Sequence, residues 1–429
     1  MRTLLYTASD SGFDLSQIPL GGAAPICAFL TKEWSRQTDF AFRLLSPDVI
    51  GAGAPRDHDL LNYTPKQYID FLWKFERAIT DEILRFDPRD VVVLSNDMSD
   101  GPRFQELAEK GYAVFCIYHM NMVQVVTKAF LFDVIRPETS AAIYRAIDRS
   151  MFRFVLPGFL KLVFRKQEES LRYCRGVIVP SAGMKRLLLR MYRDVPESRI
   201  HVCPWGSQAE TLDESAVQSR AAELRRQYGI GDDVPVLLML SRISPEKGHD
   251  RLIGALELWE RDADFPSTGV HAVICGVAGY RHAQSFERKL KDRAARLEKV
   301  RVTFPGYVSG LDKQAHFRLA TLYVFPSRYE SYGLTLMEAF HNGLAAVACH
   351  TDGTEHLVRK EFGELLPPAA EREVPVLLKQ AIKQMLADRD RLRAAGRAAK
   401  AFAEANRFSD TAARIATLLM AEPQPAGRP

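Results

Sequence analysis

Two short stretches of this chain place charged side chains where a strand gives way to a helix. The first is Phe325-Pro326-Ser327-Arg328-Tyr329-Glu330-Ser331-Tyr332-Gly333-Leu334-Thr335-Leu336-Met337-Glu338-Ala339-Phe340. A strand ends at Phe325, Gly333 permits a tight turn, and a helix begins near Leu334. The free N–H groups of that helix start form a site for an anion such as phosphate. Glu330 lies just before the helix and Glu338 one to two turns inside it. Two carboxylates flanking a helix N-terminus suit a ligand with a central phosphate and hydroxyl-rich groups on either side. On spacing alone, Glu330 as a helix cap and Glu338 as a solvated residue fit equally well.

The second stretch is Leu240-Ser241-Arg242-Ile243-Ser244-Pro245-Glu246-Lys247-Gly248-His249. It joins another strand to another helix, so Arg242 and Lys247 project from a loop at the edge where α/β sheets bind ligands. Arg offers phosphate a bidentate fork and Lys a compact charge. In isolation, two solvated loop cations are the alternative.

The elements that must position these loops follow from hydrophobic patterning. Continuous apolar runs at 91–94, 113–118, 176–179, 236–240, 271–275, 322–325 and 345–348 read as strands buried on both faces. Amphipathic stretches such as 70–85 and 283–297 read as helices between them. Alternating strands and helices predict an α/β protein with parallel sheets covered by helices. At 429 residues the chain exceeds one compact core. The break falls near 204–233, where Pro204-Trp205-Gly206 ends a strand and a charged helical stretch runs to Gln227. Two doubly wound, Rossmann-like domains facing across a cleft are the simplest arrangement.

Composition narrows the class of function. With 47% apolar and 26% charged residues the chain is globular, and a net charge of +5 tolerates anionic partners without indicating nucleic acid. Six scattered cysteines form no Cys-x-x-Cys pair and read as buried thiols in a reducing compartment. The N-terminus reads as a first strand and no apolar run could cross a bilayer, so a cytoplasmic location is expected. No Gly-x-Gly-x-x-Gly follows the first strand, which disfavours a nicotinamide oxidoreductase.

The two charged stretches resemble the donor-binding motifs of the family-four glycosyltransferases, retaining enzymes that share a Glu-x7-Glu element on the GT-B fold. The likeness extends outward, most fully over residues 170–420. Gly21-Gly22 resembles the family's glycine-rich loop, and Tyr118-His119-Met120-Asn121 its His-bearing segment. Arg175 to Ser181 and Ile200 to Gly206 resemble the strands before the hinge. Phe304 to Val308 resembles the segment near the nucleotide base, and Asp352-Gly353-Thr354-Glu355 the loop after the next strand. Arg407-Phe408-Ser409-Asp410 opens what resembles the final helix crossing back to the N-terminal domain.

This resemblance implies an acceptor-binding domain over 1–205, a hinge over 206–233 and a donor-binding domain over 234–400. A crossover helix over 401–421 and a disordered tail over 422–429 complete it. It further implies roles. Arg242 and Lys247 would neutralise the donor diphosphate, and Glu330 would hold hydroxyls of the transferred sugar with the backbone of Tyr332, Gly333 and Leu334. Glu338 would bind the ribose, Val308 would lie near the base, His119 would touch the sugar near its 6-hydroxyl, and Gly22 would let the backbone approach phosphate or acceptor. For His119, a satisfied structural histidine is the alternative. The expected reaction is transfer of a hexose-type sugar from a UDP-sugar to an acceptor hydroxyl, with the departing phosphate taking the proton.

The chain departs from the family pattern at Ser241, at Asp352-Gly353 and at Trp205-Gly206-Ser207-Gln208. No cofactor or metal is expected, although Asp57-His58-Asp59 and Asp388-Arg389-Asp390 are literal Asp-x-Asp strings. Residues 151–166 interleave aromatics with cations. They read either as core helices or as a peripheral contact with the inner face of a membrane, as a lipid-linked acceptor would favour. A non-catalytic nucleotide-sugar-binding protein, or an enzyme acting on a small soluble acceptor, are the competing functions.

Overall fold

The computed structural model describes residues 2–11, 22–52, 54–55, 63–130, 136–148, 150, 158–208, 212–278 and 281–421. Gly21, Asp57-His58-Asp59, residues 151–157 and the tail from 422 lie outside them. The chain divides into two compact units. The first runs to Pro204 and resumes at Ser409; the second is Trp205–Phe408.

The first unit holds strands β1 (Thr3–Thr7), β2 (Ala41–Leu45), β3 (Val91–Ser95), β4 (Ala113–Ile117), β5 (Gly176–Val179) and β6 (Ile200–Val202). They form one sheet in the order β2-β1-β3-β4-β5-β6, every pairing parallel. Its described helices are α1 (Ala23–Trp34), α2 (Pro65–Ile83), α3 (Phe104–Glu109), α4 (Met122–Phe130), α5 (Pro137–Asp148), α6 (Gly158–Tyr173) and α7 (Ala182–Met191). All five residues of β3 are buried, as the continuous run Val91-Val92-Val93-Leu94 requires of a central parallel strand. Helix α2 opens with a capping box, Thr64 and Gln67 each satisfying the other's backbone N–H.

The second unit holds α8 (Glu214–Gln227), β7 (Val236–Leu240), α9 (His249–Trp259), β8 (Val270–Cys275), α10 (Arg281–Ala294), β9 (Val300–Gly306) and α11 (Gly310–Leu319). It continues with β10 (Leu322–Phe325), α12 (Leu334–His341), β11 (Ala346–Cys349), β12 (Gly363–Leu366), α13 (Val374–Ala387) and α14 (Arg389–Ala405). Its sheet, again parallel, has the order β12-β11-β10-β7-β8-β9. Helix α8 lies inside the stretch 206–233, and its Arg220 pairs with Asp312 of α11 at 2.7 Å. That stretch therefore carries a packed helix of the second unit. The last helix, α15 (Phe408–Met420), belongs from Ser409 to the first unit. There the Trp34 indole donates to the Ala412 carbonyl at 3.1 Å.

Two expectations resolve at the level of packing. The described part of 151–166 is the start of α6, where Leu162, Val163 and Phe164 are buried in the core and Leu160 packs against it. Tyr144 stacks on Phe164 with ring centroids 4.4 Å apart. These residues are core, not an interfacial face. The unusual Trp205-Gly206-Ser207 has a structural role: Trp205 stacks on Phe408. A Cβ on Gly206 would lie 2.2 Å from the Arg407 backbone, and Ser207 pairs with Arg407 as a parallel bridge. All six cysteines are buried and unpaired. No helix among the described residues is long and apolar enough to cross a membrane.

Candidate functional site

The strand order of the second unit dictates where its loops meet. From β7 the chain moves outward through β8 to β9, then returns to place β10 on the other side of β7. The loops leaving the carboxyl ends of β7 and β10 thus diverge from a switch point, where doubly wound sheets bind ligands. Arg242 and Lys247 leave from β7; Glu330 to Leu334 leave from β10.

The structure brings Lys247 and Glu330 together, Nζ to Oε1 at 2.6 Å. The Ser327 hydroxyl donates to the same oxygen at 3.0 Å. Glu330 is 8% exposed, so its carboxylate is held by these contacts more than by solvent. Gly333 adopts φ 108° at the cap of α12, a conformation closed to most side chains. It starts α12 just after the buried Tyr332. Glu338, on α12, accepts from Lys313 of α11 at 3.2 Å. Val308 lies between β9 and α11, partly buried. Arg242, two residues beyond the end of β7, is partly buried. The site therefore combines two cations, two carboxylates and a helix N-terminus at one sheet edge, a set suited to a diphosphate flanked by hydroxyl-bearing groups.

What holds the two loops in register is a set of residues to which sequence reasoning assigned no role. Arg328 donates both nitrogens of its fork to Asp250, each at 2.8 Å, and also bonds the Pro245 carbonyl and Glu371. Its own backbone N–H donates to the Glu246 carbonyl at 2.8 Å. Arg251 reaches the Pro326 carbonyl at 3.0 Å and pairs with Glu371. Burial works to raise the Asp250 carboxyl, but the Arg328 guanidinium outweighs it and holds Asp250 below its ordinary value. Arg251 does the same for Glu371. Gly248 (φ 76°) completes the junction, since a Cβ there would stand 2.1 Å from the Pro326 carbonyl oxygen. Arg328 was visible in the motif, but its partners are 78 and 43 residues away, beyond any local pattern.

The departures at Ser241 and Asp352-Gly353 also have partners. The Ser241 hydroxyl lies 3.3 Å from His249 Nε2, and burial holds that imidazole down to about 4. A Cβ on Gly353 would stand 2.4 Å from the Tyr332 backbone nitrogen. Thr351 and Thr354 bond one another beneath it, Thr354 donating to the Cys349 carbonyl at 2.8 Å.

His119 and Gly22 lie in the first unit. His119 follows β4, is 7% exposed and sits 3.1 Å from Asn96 Oδ1. Burial lowers its pKa to about 4 and keeps it neutral. Gly22 is the exposed cap of α1 with φ −75°, so nothing there demands glycine on conformational grounds. Asp388 of the second Asp-x-Asp string caps α14 through the N–H groups of Asp390 and Arg391. Among the described residues no cluster is arranged to hold a metal ion.

Residues 221–402 match the family model described as Glycosyl transferases group 1. Alpha-D-kanosaminyltransferase of Streptomyces kanamyceticus is 30% identical over 182 residues, covering 42% of this chain and 44% of that protein. A GDP-mannose-dependent alpha-(1-6)-phosphatidylinositol monomannoside mannosyltransferase of Mycobacterium tuberculosis is 31% identical over 206 residues, covering 46% of this chain and 50% of that protein. The chain thus spans about half the length of the curated relatives it matches. Solved structures extend the fold to the whole chain. Sucrose-phosphate synthase from Thermosynechococcus elongatus superposes with a TM-score of 0.70 at 18% identity, covering 97% of this chain and 98% of that one. HepE of Anabaena, in complex with UDP-glucose, does so at 0.63 and 17%, covering 98% and 99%. Residues 221–402 thus resemble the group 1 glycosyl transferases, in a chain of GT-B fold.

Proposed function

We propose that this chain is a retaining glycosyltransferase that moves a hexose-type sugar from a nucleotide diphosphate sugar to an acceptor hydroxyl. The observation that carries the reading is the meeting of Lys247, Glu330 and the start of α12 at the switch point of the second unit. Lys247 and Arg242 would take the diphosphate and the charge that grows on the leaving group. Glu330, ordered by Ser327 and Lys247, would hold sugar hydroxyls together with the backbone of Tyr332, Gly333 and Leu334. Glu338 would take the ribose and Val308 would lie near the base. His119, neutral near pH 7, would donate or accept a hydrogen bond at the sugar without adding charge, and Gly22 would border the phosphates or acceptor. Attack of the acceptor on the face the phosphate leaves makes that phosphate the proton acceptor, so no protein base is named. The reading needs no metal or cofactor, since two cations and a helix N-terminus supply the positive charge.

The donor is proposed to be a UDP-sugar, as in the HepE complex; the mycobacterial relative is named for GDP-mannose, so both belong in the test. Purified chain is screened by thermal shift and by release of free sugar against UDP-, GDP- and ADP-sugars, with Lys247→Ala and Glu330→Ala alongside. One nucleotide stabilising the native chain, with slow hydrolysis lost in both variants, is the expected result. A shift without turnover, retained with every acceptor tried, would favour the non-catalytic reading. Equal shifts in the variants would sink the site.

A further inference from the structure

The first unit has its own switch point. From β1 the chain runs to β2 on one side and then returns to place β3 on the other. The segments leaving the carboxyl ends of β1 and β3 carry three carboxylates, Asp10, Asp97 and Asp100. Asp100 is 4% exposed. Its Oδ2 accepts the Ser9 backbone N–H at 2.9 Å, while its Oδ1 is buried with no hydrogen-bond partner among the described residues. A buried carboxylate oxygen left without a donor is costly in a folded protein and points to a missing partner.

The rest of the cluster is built around that oxygen. Asp10 Oδ1 accepts from the Asn96 amide at 2.9 Å. Asn96 Oδ1 accepts from the Tyr6 hydroxyl at 2.5 Å and faces His119. Asp97 Oδ1 accepts from the Ser99 N–H at 2.8 Å and the Ser99 hydroxyl at 2.6 Å. Asp10 and Asp97 keep part of their surface open. The cation nearest in effect to Asp100, Lys166, already pairs with Glu76 at 2.9 Å and donates to the carbonyls of Gly101 and Pro102. Among the described residues, no cation other than Lys166 is thus set against the charge these carboxylates carry when ionised.

We propose that Asp10, Asp97 and Asp100 form a binding subsite for a protonated amine, with Asp100 Oδ1 accepting one of its N–H bonds. An ammonium supplies three donors and one positive charge, the two things the cluster lacks. A neutral hydroxyl would satisfy Asp100 Oδ1 but leave the charge uncompensated. If the transferase reading holds, an amine-bearing sugar or cyclitol is the acceptor class this subsite selects; the binding itself does not depend on that reading. Burial first, and then the charges of its neighbours, push Asp10 and Asp97 up to about 7. The titratable groups set against the cluster are Tyr6, Cys27, Cys116, His119 and Lys166. Tyr6 and Cys27 are held protonated by burial, and His119 is neutral. A bound ammonium would therefore displace a proton from the aspartates near pH 7.

The experiment is calorimetric titration of the whole chain at pH 7 with glucosamine and an aminocyclitol, against glucose and inositol, in two buffers of different ionisation enthalpy. Native chain should bind at least one amine at least tenfold tighter than its neutral match, with net proton release. Asp100→Asn should abolish the preference, and Asp10→Asn should weaken it and cut the proton release. Each substitution keeps side-chain shape, and a nucleotide-sugar thermal shift unchanged from native shows that the variant is folded and reads the second unit separately. Equal binding of amine and neutral sugar, binding of neither, or an amine preference that survives in Asp100→Asn overturns the proposal. Displacement of the amine by millimolar Mg2+ or Ca2+ with higher affinity would reassign the cluster to a cation and also overturn it.

Discussion

Replacing Arg328 by Ala tests whether the two loops of the proposed donor site depend on a single guanidinium. The substitution deletes a two-bonded fork to Asp250, a bond to the Pro245 carbonyl and an ion pair with Glu371. Arg328 keeps 27% of its side chain exposed, and Asp250 30%. Water therefore screens the pairing, and the full value of a buried ion pair does not apply. Asp250 also sits in the first turn of α9, where the helix N-terminus continues to favour its charge. Those two facts bring the cost down to about 2 kcal/mol, the range of charge-assisted bonds partly replaced by water. For a unit of this size that corresponds to a drop of about 4–8 °C in melting temperature. The functional effect should be comparable. With Lys247 and Glu330 no longer held in register, nucleotide affinity should fall about tenfold, or ~1.4 kcal/mol. Arg328→Lys, which keeps the charge but loses the fork, should fall between. The assay is a thermal melt of purified chain with and without the stabilising nucleotide, followed by titration. A melting temperature within a degree of native together with unchanged affinity would refute the clamp.

Three further outcomes follow from packing and charge. Gly248→Ala should be more severe than Arg328→Ala, since its Cβ would meet the Pro326 carbonyl and its backbone is left-handed. A loss of about 3 kcal/mol or more is expected, read as a drop in melting temperature and loss of nucleotide binding. Phe164→Ser should unfold the first unit, costing about 3–4 kcal/mol, as a melt by circular dichroism would show; a variant folded like the native chain would contradict its core placement. Asp97, whose pKa is raised to about 7 chiefly by burial, contributes a stability difference of unusual sign. Relative to the unfolded chain it is favourable below about pH 4 and is lost as pH rises through about 7. Asp97→Asn should therefore gain stability over native chain as pH rises from 5 to 8, by on the order of 1–2 kcal/mol. Parallel melts with a flat difference across that range would contradict the raised value.

The amino-acid sequence alone determined the class of fold and the sheet edge at which Lys247 and Glu330 lie. Its strands are continuous apolar runs because parallel sheets are buried on both faces, and that pattern survives any arrangement of the rest. The segments around 91–94, 236–240 and 322–325 are legible for that reason, and all three are strands. Lys247 and Glu330 were legible because each follows a strand and precedes a helix, so local order alone places them at a sheet edge. What the linear order does not contain is which edges adjoin. Only strand order puts β7 beside β10 and β1 beside β3. With it came the 2.6 Å contact of Lys247 with Glu330, the Arg328 clamp, and the meeting of Asp10 with Asp97 and Asp100. No local pattern marks the aspartates, because their burial comes from elements some 90 positions apart in the chain. The aromatic stretch that begins α6 shows the converse. Its composition fitted a membrane face as well as a core, and packing against Tyr144 made it core. Periodicity reports which face of a helix is apolar, but only tertiary contact determines what covers that face.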